Sequence, residues 1–589
     1  MSNTHGFSRD PDNVQAWLVG SGIASLTTAV HLIKEAKVPG PNIHLIDTHM
    51  GTGGGMTMQE TEDSGYFLPY ECTPHFHGSC VERLLSLIPS PANAEKSILQ
   101  AVHDRDVSSR STVAVDVPRA YDYGYIYPFE ASRNRHENLA EGLFGAGGIS
   151  SASKDQNKHH ALPARFVTEG LSGPEVSHHK GVQIGITQRM ALVGFLLEHE
   201  SAINNKSIKD IFDAAFFKTE FWMLWSTTFG LHPWHSAVEF QRHLRKYLGD
   251  LRSLDRIREK QRTDYNFVES VVQPLTAFLK QQGVDFRFHQ QVTDLMAYPE
   301  GGPTTISEIE VMTEDGTQEL ITLDPQDILI VTLGSTTSGA AKGSDTTPPE
   351  GLTSNWEEVL DGDWKLWKKL AQKSPKFGNP MNFLPRIPES TVETFTTTFT
   401  GPGFANVYER LIQEKPGTGA FLSLSGSNWG VTISVPHQPV FSTQSDNVTV
   451  MLGYALNPGA EGNFVKKEMW CCTGQEILKE IFFHLGCCSK DSSEAATILA
   501  AAKTIPCGLP LGTAPLLTRR CNDRPPVIPK WTTNIACVGQ FVEIPADSTL
   551  DIEYSVHSAQ IAVAELMGLP LKPAKPLKSL LMEVLNVLI

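Results

Sequence analysis

The stretch Ala16-Trp17-Leu18-Val19 runs straight into Gly20-Ser21-Gly22-Ile23-Ala24-Ser25-Leu26, and a second apolar strand, Ile43-His44-Leu45-Ile46, ends in Asp47. Strand, glycine turn, helix and a strand closed by an acidic residue make the pattern of a βαβ dinucleotide-binding unit. Gly20 permits the tight turn, and Gly22 lets the backbone approach a pyrophosphate. Ile23, Ala24 and Ser25 open the helix, whose free N–H groups and positive dipole end suit an anion, and Asp47 is placed for a ribose hydroxyl. A glycine turn also arises for steric reasons alone. Here the four parts stand in the order that nucleotide binding requires.

The chain has 589 residues and a net charge of −16. That length calls for more than one core, and that charge excludes a nucleic-acid partner, because duplex binding neutralises phosphates with Lys and Arg. No apolar run reaches the roughly 20 residues that span a bilayer. The first 13 residues are polar and lack an apolar signal core, so a cytoplasmic location is expected. Nine cysteines, including the pairs Cys471-Cys472 and Cys487-Cys488, show no metal-ligand spacing and read as reduced thiols. The stretch His75-Phe76-His77 has one candidate partner at helical spacing, Glu71, but Pro74 argues against a helix there, and no metal site is expected.

Further along, an α/β fold class emerges: a Rossmann-like domain of the two-dinucleotide-binding flavoprotein type, with a mixed β substrate domain and helical lobes. Residues 1–160 read as the first part of the dinucleotide domain with a lid-like loop. Residues 161–265 read as a helical lobe dense in aromatics, among them Trp222, Trp225 and Phe229, which serve either as ordinary core or as the wall of a lipid-sized pocket. Residues 266–345 return to the nucleotide sheet through Ile328-Leu329-Ile330-Val331-Thr332 and the turn at Gly334. Residues 346–500 read as a β-rich substrate domain, in which 380–460 alternate apolar and polar positions (Phe395 to Thr400, Phe421 to Ser425, Val431 to Val435, Val448 to Leu452) and suggest an antiparallel substrate wall. Residues 501–568 complete the dinucleotide domain through the strand before Gly539-Gln540, and 569–589 form an amphipathic helix that either docks on protein or lies in a membrane interface.

Several long strings carry a family likeness: Trp225-Ser226-Thr227-Thr228-Phe229, Trp234-His235-Ser236-Ala237-Val238-Glu239, Gly462-Asn463-Phe464-Val465-Lys466-Lys467 and Val538-Gly539-Gln540-Phe541-Val542-Glu543-Ile544-Pro545. Together with the first glycine turn they resemble the oleate hydratases, also called the myosin-cross-reactive antigen family. The resemblance implies FAD, used without net redox, and a fatty-acid-like substrate. It also implies a homodimer and peripheral membrane contact through the C-terminal helices.

Two departures stand out. Where that family carries a catalytic glutamate in a glycine-rich loop, this chain reads Pro69-Tyr70-Glu71-Cys72-Thr73-Pro74, so Thr73 occupies the carboxylate position and Glu71 stands two residues away. A threonine hydroxyl is no general base near neutral pH. Where the family has the proton-donating tyrosine, this chain has Met223, which has no proton to give. Glu71, Thr73 and Met223 are therefore the catalytic candidates. Trp222, Trp225, Phe229, Ser434 and His437 are the candidates for substrate contact, with Pro436 standing where a polar group is usual. Three activities stay open: hydration with relocated acid and base groups (Glu71, Glu60, Tyr66 or Tyr70), isomerisation or cyclisation of a polyene or terpenoid acid, and non-catalytic lipid binding.

Overall fold

A computed structural model describes residues 9–56, 58, 64–72, 78–91, 93–102, 165–170, 173–178, 185–247, 263–298, 303–412, 417, 421–487, 493–549 and 552–570. Thr73, Glu60 and the C-terminal segment 573–589 lie outside them. The first unit is a five-stranded parallel sheet in the order Ile535–Val538, Ile328–Thr332, Ala16–Val19, Ile43–Ile46, Asp285–Arg287. All four residues of Ala16–Val19 are buried, as befits a strand covered on both faces. The helix Ile23–Lys34 packs on the helix Ile552–Met567. The latter supplies Glu553, whose carboxylate accepts the N–H groups of Gly78, Cys80 and Val81 at 2.8–3.0 Å and so caps the helix Ser79–Leu87.

The strand order switches direction between Ala16–Val19 and Ile328–Thr332, the place where open α/β sheets bind ligands. A three-stranded antiparallel sheet, Gln290–Ala297, Ile306–Thr313 and Gln318–Thr322, leaves this unit as a flap. Before it, the π-helical turn Val268–Val272 opens into the helix Gln273–Gln281, where Pro274 stands in the first turn and has no N–H to donate back into the preceding π turn.

The second unit is an eight-stranded sheet in the order Ala341–Lys342, Ala502–Leu509, Val392–Thr400, Val448–Ala455, Val431–Ser434, Phe421–Leu424, Arg165–Gly170, Gly173–His178. Four of its strands correct the boundaries read from the sequence. Arg165–Gly170 and Gly173–His178 join this sheet instead of the helical lobe, and Ala341–Lys342 and Ala502–Leu509 belong to it instead of the dinucleotide unit. Proline and glycine, here Pro506 and Gly508, weaken a strand. The Pro506 carbonyl, however, points outward to the N–H of Gly343, beside a flanking strand of only two residues, so the missing proline N–H interrupts little pairing.

Along Val392–Thr400 the side chains alternate. Thr396 and Thr398 accept the N–H groups of Leu68 and Tyr66 on the side of the dinucleotide unit. Phe395 and Phe399 enter a separate core with Phe404, Ile481 and Phe482 on the other. A third core belongs to the helical lobe, where Phe216, Phe221, Trp225, Phe229 and Phe240 are buried together.

Candidate functional site

Three glycine turns meet at the carboxyl edge of the parallel sheet, around Thr332. Gly20 has φ +100°, and a Cβ there would sit 3.0 Å from Thr332 Oγ1. Gly539 has φ +98°, with the methyl of Thr332 3.4 Å from its would-be Cβ, and its N–H donates to Ser558 Oγ at 3.0 Å. Ser25 Oγ lies 3.1 Å from Thr332 Oγ1. Gly334, φ +64°, has no room for a side chain against Phe541 and Trp364.

Gly22 N-caps the helix Ile23–Lys34 with no side chain capping it, so the first-turn amides, including those of Ile23, Ala24 and Ser25, are not consumed by a cap. The loop 51–55 folds back on this turn. Gly53 N–H donates to the Ser21 carbonyl at 2.9 Å, and a Cβ on Gly54 would come within 3.1 Å of Gly22 Cα. The close packing of this glycine run on Gly22 gives it a place in the cradle.

Asp47 accepts the Ser21 N–H at 2.6 Å and the His49 N–H at 2.7 Å, and its carboxylate pairs with His49 Nδ1 at 2.7 Å. Burial alone would raise its pKa, but the hydrogen bonds from His49 and Ser21 outweigh this and hold it below the ordinary value. A small pocket beside it is lined by Val19, Gly20, Asp47, Gln290, Gly362 and Asp363. Uncapped amides, glycines without space for a Cβ and a charged carboxylate at the strand end fit the adenosine-diphosphate half of a dinucleotide.

Where the dinucleotide unit faces the large sheet, a cavity of about 60 Å³ opens, wide enough for several waters. Its walls are mostly apolar, with Val392, Leu456, Leu509 and Phe229 among them. Tyr70, Thr336, Thr337, Tyr454, Gln540 and Thr549 are its polar lining residues, with Thr513. Of the residues singled out from sequence, Tyr70, Phe229 and Gln540 line it. Tyr454, Thr513 and Thr549 were missed, because they come from separate segments that only the tertiary fold gathers.

The other candidates sit elsewhere. Trp225 is fully buried between Phe221 and Phe229, with ring centroids 5.2 and 5.0 Å away. Trp222 packs on Phe217 and Phe240, and Met223 is partly buried against the same core. Ser434 is buried opposite Leu452 in the large sheet, and His437 is exposed. Glu71 follows Tyr70 into a short 3₁₀ turn, and its carboxylate accepts the backbone N–H of Phe267. It is not among the residues of the cavity wall.

Behind that wall lies a buried charge cluster. Glu239, fully buried, pairs with Arg519 at 2.8 Å and Arg524 at 3.3 Å. Glu543 pairs with Arg519 and Arg242, each at 2.7 Å. Burial works to raise the Glu239 pKa, yet the charges of Arg519, Arg524 and Arg242 hold it below the usual carboxylate range. Thr549 Oγ1 donates to Glu239 Oε2 at 3.0 Å.

The profile of the MCRA family matches residues 13–119 and 148–564. The chain belongs to the MCRA family. It is 28% identical over 566 residues to an oleate hydratase of Streptococcus pyogenes serotype M49 (strain NZ131), covering 95% of this chain and 86% of that one. It is 26% identical over 595 residues to a linoleate hydratase of Lactiplantibacillus plantarum, covering 95% and 94%. Among solved structures, the cyclohexylamine oxidase of Brevibacterium oxydans IH-35A aligns over 94% of this chain and 99% of its own, with 10% identity and a TM-score of 0.45. Among the described residues no helix is long and apolar enough to cross a membrane.

Proposed function

We propose that this MCRA-family chain is an FAD-binding lyase of the hydratase type, adding water to a carbon–carbon double bond of a fatty-acid-like substrate without net redox. The observation that carries the reading is the position of the cavity: an apolar space with phenol, hydroxyl and amide groups in its wall, at the carboxyl edge of a dinucleotide sheet. End-to-end similarity to two fatty-acid hydratases supports it. Gly20, Gly22, Ile23, Ala24, Ser25, Asp47, Gly334, Gly539 and Gln540 would hold FAD, which when bound supplies an ordered polar aromatic surface beside the substrate.

The chain's own groups do the proton work. Tyr454 donates its hydroxyl proton to the carbonyl of Thr227, which commits that phenol to the fold. Tyr70, on the segment that carries the family's carboxylate loop, is the phenol we assign to the alkene. Its O–H bond breaks as a C–H bond forms, leaving a carbocation and a tyrosinate. Water then forms the C–O bond and gives its proton back to the tyrosinate, so atoms and charge balance. Homodimer formation and membrane contact through 573–589, implied by the family likeness, belong to the same proposal.

Oleic and linoleic acid incubated with the FAD-loaded chain in heavy-oxygen water test it. A hydroxy acid carrying the label is expected. An unlabelled rearranged product would move the reading to isomerisation or cyclisation, a reading favoured by the lack of a carboxylate among the described cavity residues. Binding without conversion would make the chain a lipid carrier.

A further inference from the structure

Thr549 is buried, lines the cavity, and donates its only hydroxyl proton to a carboxylate. Glu239 can only accept while ionised, and Arg519 and Arg524 keep it ionised. The Thr549 rotor is therefore locked on Glu239, which is not among the residues of the cavity wall, and the hydrogen-bonding capacity that remains is a pair of lone pairs. The neighbouring hydroxyl of Thr513 is turned away as well, donating to the Ser390 carbonyl at 3.1 Å. In an apolar space, an acceptor of fixed direction is a recognition element for an O–H donor, because leaving such an oxygen unpaired carries the full desolvation penalty.

We propose that Thr549 is the positioning residue for the hydroxyl oxygen in this cavity, accepting a hydrogen bond from the attacking water before addition and from the alcohol of the hydroxylated chain after it. The assignment rests on the hydratase reading above. Glu239 plays no part as a base: three arginines hold it as an anion, and its task is to aim the threonine. The charge cluster thereby connects to the site through one hydroxyl, at the junction of the helical lobe, the loop bearing Arg519 and Arg524, and the segment after Ile535–Val538.

Two measurements on the full-length, FAD-loaded chain test this. In the first, stearic acid and 10-hydroxystearic acid are titrated calorimetrically into the wild type, Thr549→Ser and Thr549→Val. The wild type and Thr549→Ser are expected to prefer the hydroxy acid by about tenfold. Thr549→Val is expected to bind stearic acid unchanged and to lose the preference. In the second, labelled water addition to oleic acid is followed. Thr549→Val is expected to lose about tenfold to a hundredfold in kcat with little change in KM, and Thr549→Ser to recover most of it.

Equal affinity of the wild type for the two acids, or an undiminished preference in Thr549→Val, overturns the assignment and leaves the hydratase reading standing. A wild type that binds neither acid overturns both. A preference without any hydration supports a binding site for hydroxylated chains and removes the attacking-water half. A Thr549→Val chain that fails to fold leaves the serine variant and the wild-type preference to decide.

Discussion

Glu393 offers the sharpest test of how the large sheet is built. It stands one residue after Val392, which lines the cavity, so strand alternation turns it to the opposite face, toward Phe395 and the core of Phe404 and Phe482. It is fully buried, and neither carboxyl oxygen has a hydrogen-bond partner among the described residues. Burial pushes its pKa well above the ordinary 4.5. The folded chain thus keeps a proton that the unfolded chain releases. Its contribution to stability is undiminished below 4.5, falls as pH rises toward the folded value, and is flat beyond it.

One group releasing one proton changes stability by about 1.4 kcal/mol per pH unit. Between pH 4.5 and the raised folded value the wild type should lose stability at up to that slope, while Glu393→Met, which cannot titrate, does not. The methionine also removes a buried unpaired carboxyl, which costs about 1–3 kcal/mol even when neutral. Urea midpoints for both proteins at pH 5.5, 6.5 and 7.5 give the difference directly. Parallel pH profiles, or a variant less stable than the wild type at pH 7.5, would refute the reasoning and mean that Glu393 is ionised and paired.

Replacing Tyr70 by Phe removes the assigned proton donor and should lower kcat by about 10²–10⁴ with KM nearly unchanged; product formation from oleic acid reports it. Gly20→Ala forces a side chain into φ +100° with Thr332 Oγ1 at 3.0 Å, so the purified variant should lose its flavin absorbance while the wild type keeps it. Arg524→Met deprives the buried Glu239 of one of its arginines. With Arg519 still 2.8 Å away, the loss should fall near the lower end of the roughly 3–5 kcal/mol typical of a broken buried pair, read from the urea midpoint.

The dinucleotide unit was legible because its signals are local. A buried four-residue strand, a glycine at positive φ and an acid at the next strand end are all set within about 30 residues, and the parallel pairing of Ile328–Thr332 and Ile535–Val538 follows from their apolar runs. The strands at 392–400, 421–424, 431–434 and 448–455 were legible from alternation and β-branched content. The place of Arg165–Gly170 was not, since its partner Phe421–Leu424 lies about 250 residues away and nothing local encodes that pairing.

The site was half legible. Family strings marked Phe229 and Gln540. Tyr454 looked like any strand aromatic, and Thr549 looked like a loop hydroxyl. Both acquire chemistry only from what faces them, the Thr227 carbonyl for one and Glu239 for the other. For Trp222 and Trp225 the sequence leaves ordinary core and pocket wall both open, and their neighbours in the fold are other rings.

The central claim is that one chain holds a flavin dinucleotide and an apolar acid side by side at the carboxyl edge of its parallel sheet. Native mass spectrometry of the purified chain, before and after addition of FAD and oleic acid, tests it most directly. The account expects two separate mass increments, one for each compound, with the FAD increment lost in Gly20→Ala. A chain that stays at its own mass in the presence of both would contradict it.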